Sequence, residues 1–280
     1  PQLSFWHWLI GIFVLAVVHE FAHGILARVH NLPVKNSGFG FLGPILLAFV
    51  EPDEKRMLKA SKKAQLSVYA AGPFSNFIFA LLFILILSFI ITPIYLSSSI
   101  NGVKINEFVE GYSAERSGLE LPFIITEVNG VKLTDRRSYM DSFGNIKPGE
   151  IVKLGTDQGE FSIETKISPS DPERGFIGIK GEEFSSSGVW DQFLRWIHLL
   201  FFWLFALNIG VGLFNLLPLG PVDGGRMFLT AVLFIFKDER KAKKVWLFAM
   251  YLVLFLIFVN LLPWITKLFS FITGFLTSAG

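Results

Sequence analysis

Four stretches of this chain are long and apolar enough to cross a bilayer: Phe5–Ala27, about Ala64–Leu96, Trp190–Leu217 and about Val245–Phe269. A span takes about 20 mostly apolar residues. In hydrocarbon every backbone N–H and C=O must find its partner within protein, which a helix achieves alone. Of the 280 residues 52% are hydrophobic and 17% charged, with the charges gathered between the apolar stretches. Pro218, Gly220, Pro221, Gly224 and Gly225 interrupt the third stretch before Met227–Phe236, a piece too short to span alone. Such residues stop or kink a helix, so residues 190–236 read as one broken membrane element.

The loops set an expected orientation. Arg28–Lys63 holds seven Lys/Arg against three Asp/Glu, and Lys237–Lys244 holds five against two. The positive-inside rule puts both on the cytoplasmic side. Alternation then places 97–189 outside, and with nothing preceding Pro1 it puts both termini outside too. Phe5–Ala27 does not read as a signal peptide: it has no basic leader, and membrane-like sequence continues after it. The formal net charge of +2 gives no reason to expect a nucleic-acid partner.

Residues 100–183 differ in character, with ten Lys/Arg and fifteen Asp/Glu. Short β-like runs alternate with turn signals at Val103–Phe108, Ile124–Val128, Ile151–Leu154, Glu160–Ile167 and Gly175–Ile179, and Ser113–Leu119 reads as a short helix. Ser37–Val50 is apolar but broken by Gly38, Gly40, Gly43 and Pro44. It reads either as a small hairpin turning at Gly43-Pro44, with Phe39 and Phe41 on one strand, or as an interfacial loop. A hairpin in the membrane needs its backbone groups paired or facing a wet cavity.

Chemistry enters with His19-Glu20-Phe21-Ala22-His23 inside the first apolar stretch. On a helix, positions i and i+4 share a face, so both imidazoles can grip one metal ion while Glu20, beside them, can take a proton from water. Ionisable groups are costly in hydrocarbon, which argues against an idle set. The bland alternative is a pair of buried histidines bonded to neighbours. With no cysteine in the chain, the remaining protein donor of a catalytic zinc has to be N or O. Asp223, at the second helix-breaking site, is the candidate; alone it would read first as an N-cap for residues 224–236, and beside His19–His23 it reads as the ligand. His7, His30 and His198 lack such company.

These motifs resemble those of the site-2 protease family of intramembrane zinc metalloproteases. His19–His23 matches its first motif, Asn215-x-x-Pro218 followed by Asp223-Gly224 its second, and Gly72-Pro73-Phe74-Ser75-Asn76 its G-P-x-x-N element. Val222 stands where members often have Leu. Residues 100–183 resemble a PDZ domain through Glu110–Leu119 and Ile124–Gly130, although Pro122-Phe123 replaces the usual Gly-Asp and no clear carboxylate-binding loop is visible. The resemblance implies one Zn²⁺ per chain held by His19, His23 and Asp223. It implies Glu20 as general base, and Asn76 and Asn215 bonding substrate backbone or shaping the site. A substrate helix must unwind to be cut, and the Ser37–Val50 hairpin, with Phe39 and Phe41, is a candidate edge to receive it.

The expected fold is a polytopic α-helical membrane protein. It has about four transmembrane helices, a membrane-associated β-hairpin and an inserted β-rich, PDZ-like extramembrane domain. The divisions are 1–99, 100–183 and 184–280. The expected activity is cleavage of single-span membrane proteins within the lipid bilayer, in a prokaryotic plasma membrane. The alternatives are a non-catalytic scaffold or receptor using the PDZ-like domain, and a metal-ion transporter. Glu20 separates them, since a scaffold has no use for it and a transporter would repeat such sites along a path.

Overall fold

The computed structural model describes residues 4–42, 45–183 and 188–278; the expected turn at Gly43-Pro44 lies outside them. Two compact units form, one from residues 1–84 with 202–280, the other from residues 85–201.

Four helical segments, Phe5–Val29, Lys62–Leu96, Val189–Phe214 and Glu239–Lys267, have the length and hydropathy of membrane spans. At most 22% of any of their apolar windows is buried, and none of the last. Phe21, Phe89, Phe248 and Trp264 are among the side chains turned outward. Apolar helices exposed to this extent are matched to lipid rather than water, and the chain is an integral membrane protein.

The first unit opens with α1 (Phe5–Val29), whose N-cap is Ser4. Strands β1 (Val34–Leu42) and β2 (Ile45–Pro52) pair antiparallel, with Ser37 opposite Val50 and Phe39 opposite Ala48. β2 packs along α1: a Cβ at Gly24 would stand 3.2 Å from Val50 Cγ1. Next comes α2 (Glu54–Lys59), started by Asp53, whose carboxylate accepts from the Arg56 N–H at 3.0 Å. That bond holds the Asp53 carboxyl below its ordinary range.

Helix α3 (Lys62–Ile86) carries Pro73 inside it and continues through a π-helical stretch, 87–91, into α4 (Thr92–Leu96). Pro73 has no N–H for the carbonyl of Tyr69 four residues back. Ala27, Leu32, Met57, Val68 and Tyr69 pack between α1, α2 and α3 as a small buried core. Downstream, α6 (Gly188–Phe214) ends before the Pro/Gly-rich turn and α7 (Asp223–Phe236) begins after it, the interruption the prolines and glycines predict. α8 (Glu239–Ser278) starts earlier than its apolar core because Asp238 accepts the N–H groups of Arg240 and Lys241.

The second unit is built on an antiparallel sheet. Its strands are β3 (Val103–Phe108), β4 (Phe123–Val128), β5 (Val131–Lys132), β6 (Ile151–Thr156), β7 (Gly159–Glu164) and β10 (Ile179–Glu183). The order is β10-β3-β4-β6-β7, with β5 also on β4. A separate pair joins β8 (Lys166–Ile167) to β9 (Gly175–Phe176). Burial alternates along the strands: Val103 and Ile105, Phe123 and Ile125, Val152 and Leu154 all enter one core, as a period of two requires. Helix α5 (Arg136–Gly144) was not expected. Its apolar face is one pair, Tyr139 and Phe143, one turn apart and packed on the core, and its start is fixed by a reciprocal capping box between Asp135 and Ser138.

Within this unit Arg136 is almost completely buried. Its guanidinium meets the Asp191 carboxylate of α6 at 2.7 and 2.8 Å, donates to Ser98 Oγ, and lies 4.4 Å from the centre of the Tyr95 ring. One buried cation thus ties α4, α5 and α6 together.

Candidate active site

Helix α1 places His19 and His23 one turn apart on one face, with Nε2 to Nε2 at 3.1 Å. The start of α7 brings Asp223 to them, its Oδ2 being 3.0 Å from His19 Nε2 and 3.2 Å from His23 Nε2. Asp223 does not cap α7. The N-cap is Val222, and Asp223 is the first helical residue with its carboxylate turned to the histidines.

The turn between α6 and α7 makes this possible. Gly224 N–H donates to the Asn215 carbonyl at 2.6 Å. A Cβ at Gly225 would lie 2.6 Å from the Leu219 carbonyl carbon. Only glycines let α7 start so close to its own lead-in chain.

Three donor atoms 3.0–3.2 Å apart make a triangle of a size that one small cation would fill. Zn–N and Zn–O bonds of about 2.0–2.1 Å at tetrahedral angles separate neighbouring donors by about 3.3 Å. Among the described residues this is the one cluster of three His, Asp or Glu donors close enough to share an ion.

The atoms behind the triangle fit an ion as well. His23 Nδ1 is 2.7 Å from the Val68 carbonyl, a pure acceptor. That fixes the proton on Nδ1 and leaves a lone pair on Nε2. The amide nitrogen of Asn76 lies 3.2 Å from His19 Nδ1, and its oxygen, buried, has no partner. The two orientations of an amide fill the same space. With oxygen foremost, Asn76 accepts from His19 Nδ1–H, the orphaned oxygen is satisfied, and His19 Nε2 is also left as a lone-pair donor. The residues present therefore fit a divalent cation bound by two imidazoles and a carboxylate.

Helix α3 comes close enough to force this arrangement. A Cβ on Gly72 would stand 2.5 Å from Nε2 of both His19 and His23. Reading the sequence put Gly72 in a motif but gave it no role. Val68 belongs to no motif, and its part is played by its backbone carbonyl.

A cavity of about 610 Å³ opens on the triangle. Glu20, Asn215, Tyr69 and Arg226 line it, together with Ala48 and Val50 of β2. The Glu20 carboxylate accepts from the Val50 N–H at 3.0 Å. The structure thus gathers His19, Glu20, His23, Asn215 and Asp223 around one space. Asn76 is fully buried behind His19 rather than on the cavity wall. Phe39 is exposed, its ring 5.9 Å from that of Phe13, and does not line the cavity. The backbone of Phe41 pairs with Leu46, and its side chain is outside the described residues. The strand that faces the donors is β2, not the Phe39–Phe41 part of β1.

In the β-rich unit a cavity of about 470 Å³ is lined by Ile179 and Gly181 of β10 and by Tyr139 and Phe143 of α5.

Known proteins are similar to this chain in sequence. An uncharacterized protein of Methanocaldococcus jannaschii is 30% identical over 221 residues, covering 78% of this chain and 55% of that one. The zinc metalloprotease RasP of Shouchella clausii is 26% identical over 246 residues, covering 66% of this chain and 56% of that one. The chain therefore spans a little over half the length of these relatives. The PDZ domain of an SdrC-like protein from Listeria innocua matches 29% of this chain and 92% of its own length at 27% identity, with a TM-score of 0.25. The profile of peptidase family M50 matches residues 7–257, a span holding all three donors and Glu20. The chain belongs to peptidase family M50, the site-2 proteases.

Proposed function

We propose that this protein is a zinc-dependent endopeptidase that cuts the transmembrane segments of single-span proteins within the bilayer. The observation that carries this reading is the triangle of His19, His23 and Asp223 donors with Glu20 on the same cavity wall. Neither a scaffold nor a transporter needs a carboxylate beside three metal donors.

His19, His23 and Asp223 would hold Zn²⁺, which when bound supplies Lewis acidity, making water a nucleophile at neutral pH and polarising a carbonyl. Glu20 takes a proton from the attacking water as its oxygen bonds to the carbonyl carbon. Glu20 then gives that proton to the amine nitrogen as the C–N bond breaks. Asn215, on the cavity wall, donates its amide N–H to a substrate carbonyl. Asn76 holds His19 in the ligating orientation and does not touch substrate.

A helical substrate hides its peptide bonds, so it is cut as an extended segment whose freed N–H and C=O groups need partners. The outer edge of β2, along Ala48 and Val50, offers them. On the positive-inside reading the basic loops face the cytoplasm and the β-rich unit faces outward, where a PDZ-like groove screens what reaches the membrane.

The test is Glu20→Gln measured on a labelled single-span substrate in bilayer nanodiscs. Zinc content stays at the wild-type level and cleavage falls by at least a thousandfold. Undiminished cleavage by that variant rules out the mechanism.

A further inference from the structure

The Val50 N–H sits at a junction between two systems. It belongs to β2, where Val50 stands opposite Ser37 of β1, and it donates to Glu20 Oε2 at 3.0 Å. An N–H that reaches Glu20 points away from the β1 partner. Backbone groups alternate along a strand, so the Ala48 N–H, two residues back, lies on the same outer edge. Ala48 and Val50 both line the cavity that holds the three metal donors. The outer edge of β2 is therefore already engaged at one rung, and its occupant is the proposed base.

We infer that the Val50 amide is a substrate-sensing switch: it holds Glu20 until an extended substrate docks on β2, whose carbonyl then takes the Val50 N–H and releases Glu20 to work. One N–H makes one good hydrogen bond, so Glu20 and a substrate carbonyl compete for it. Docking and activation become one event. A chain that cannot pair with β2 leaves the base engaged, which spares helical lipid-embedded segments that merely diffuse past. This rests on the reading that substrate is cut as a strand added to β2.

The experiment measures binding rather than turnover. The probe is a labelled single-span peptide of about 20 apolar residues with a central glycine pair, in nanodiscs, with catalytically silent full-length variants. Glu20→Gln keeps an acceptor for the Val50 N–H; Glu20→Ala leaves that N–H open. Glu20→Ala therefore binds the peptide about fivefold more tightly than Glu20→Gln, the worth of one neutral hydrogen bond. Adding Val50→Pro removes the disputed N–H and abolishes the difference. Proline is tolerated there because the lost N–H is not part of the β1 ladder, and zinc content reports that each variant is folded.

Ala48→Pro, made in Glu20→Gln, removes the neighbouring outer N–H without touching Glu20. Weaker binding with Ala48→Pro and equal binding by Glu20→Ala and Glu20→Gln would overturn the switch and leave strand docking standing. Unchanged binding with Ala48→Pro would overturn docking on β2 and the switch with it, leaving the metal-dependent chemistry to its own test.

Discussion

Gly72 is packed against His19 so closely that a single methyl group on it would stand 2.5 Å from the His19 Nε2. The backbone of α3 thus forms the floor under the metal donors, and the position admits hydrogen and nothing larger. Gly72→Ala must push α3 away from α1 or turn the imidazoles aside. Zinc affinity falls at least tenfold in this variant, read by competition with a chromogenic chelator, while the detergent-solubilised protein stays monodisperse.

In the proposed mechanism Asn76 acts on the metal through His19, whose Nδ1 it faces at 3.2 Å. Asn76→Ala removes the group that faces Nδ1 and leaves the ring free to rotate. Losing such a partner costs about ten- to a hundredfold in metal affinity. The same variant leaves the binding of an extended peptide to zinc-loaded protein unchanged, because Asn76 is not on the cavity wall. An Asn76 that contacts substrate would give the opposite pattern.

Arg136 and Asp191 form a buried pair. Removing one partner strands the other charge away from water, which costs about 3–5 kcal/mol. Arg136→Met and Asp191→Leu alone each lower the melting temperature. Combined, they recover most of the loss, because the pair's own net contribution is small once both charges are gone. Thermal melts of the three variants check this, and additive losses would contradict it.

The Asp53 carboxyl has its pKa lowered in the folded chain by the Arg56 N–H. A group depressed in the folded state stabilises above its unfolded pKa, and that contribution is lost as pH falls through the folded value. The start of α2 therefore holds throughout the ordinary carboxylate range and frays only as the pH falls below it, through the depressed value of Asp53. Amide exchange at Arg56 follows that transition, and in Asp53→Ala exchange is fast at both ends.

The membrane spans were legible because a run of about 20 apolar residues admits few other structures. His19 and His23 were legible because helical spacing alone puts them on one face. Asp223 was legible as a donor only through its company, His19 and His23, since by itself an acid at a helix start reads as an N-cap; the fold-back permitted by Gly224 and Gly225 brings its carboxylate to the histidines. The role of Gly72 depends on how closely α3 approaches α1, which no local pattern encodes. Helix α5 escaped because its apolar face is a single pair, Tyr139 and Phe143, too short to show a period, and a capping box fixes its start. The choice of β2 over β1 as the cavity edge escaped too, because hairpin sidedness follows from packing on α1. The Val50 contact leaves no trace in sequence, since any residue but proline carries a backbone N–H.

Metal analysis of the purified protein beside Asp223→Ala tests the central claim most directly. The account predicts one zinc per chain in the wild type, retained through dialysis, and zinc lost from Asp223→Ala under the same dialysis. A wild type that binds no zinc, or an Asp223→Ala variant that holds it as tightly as wild type, would contradict a site built by His19, His23 and Asp223.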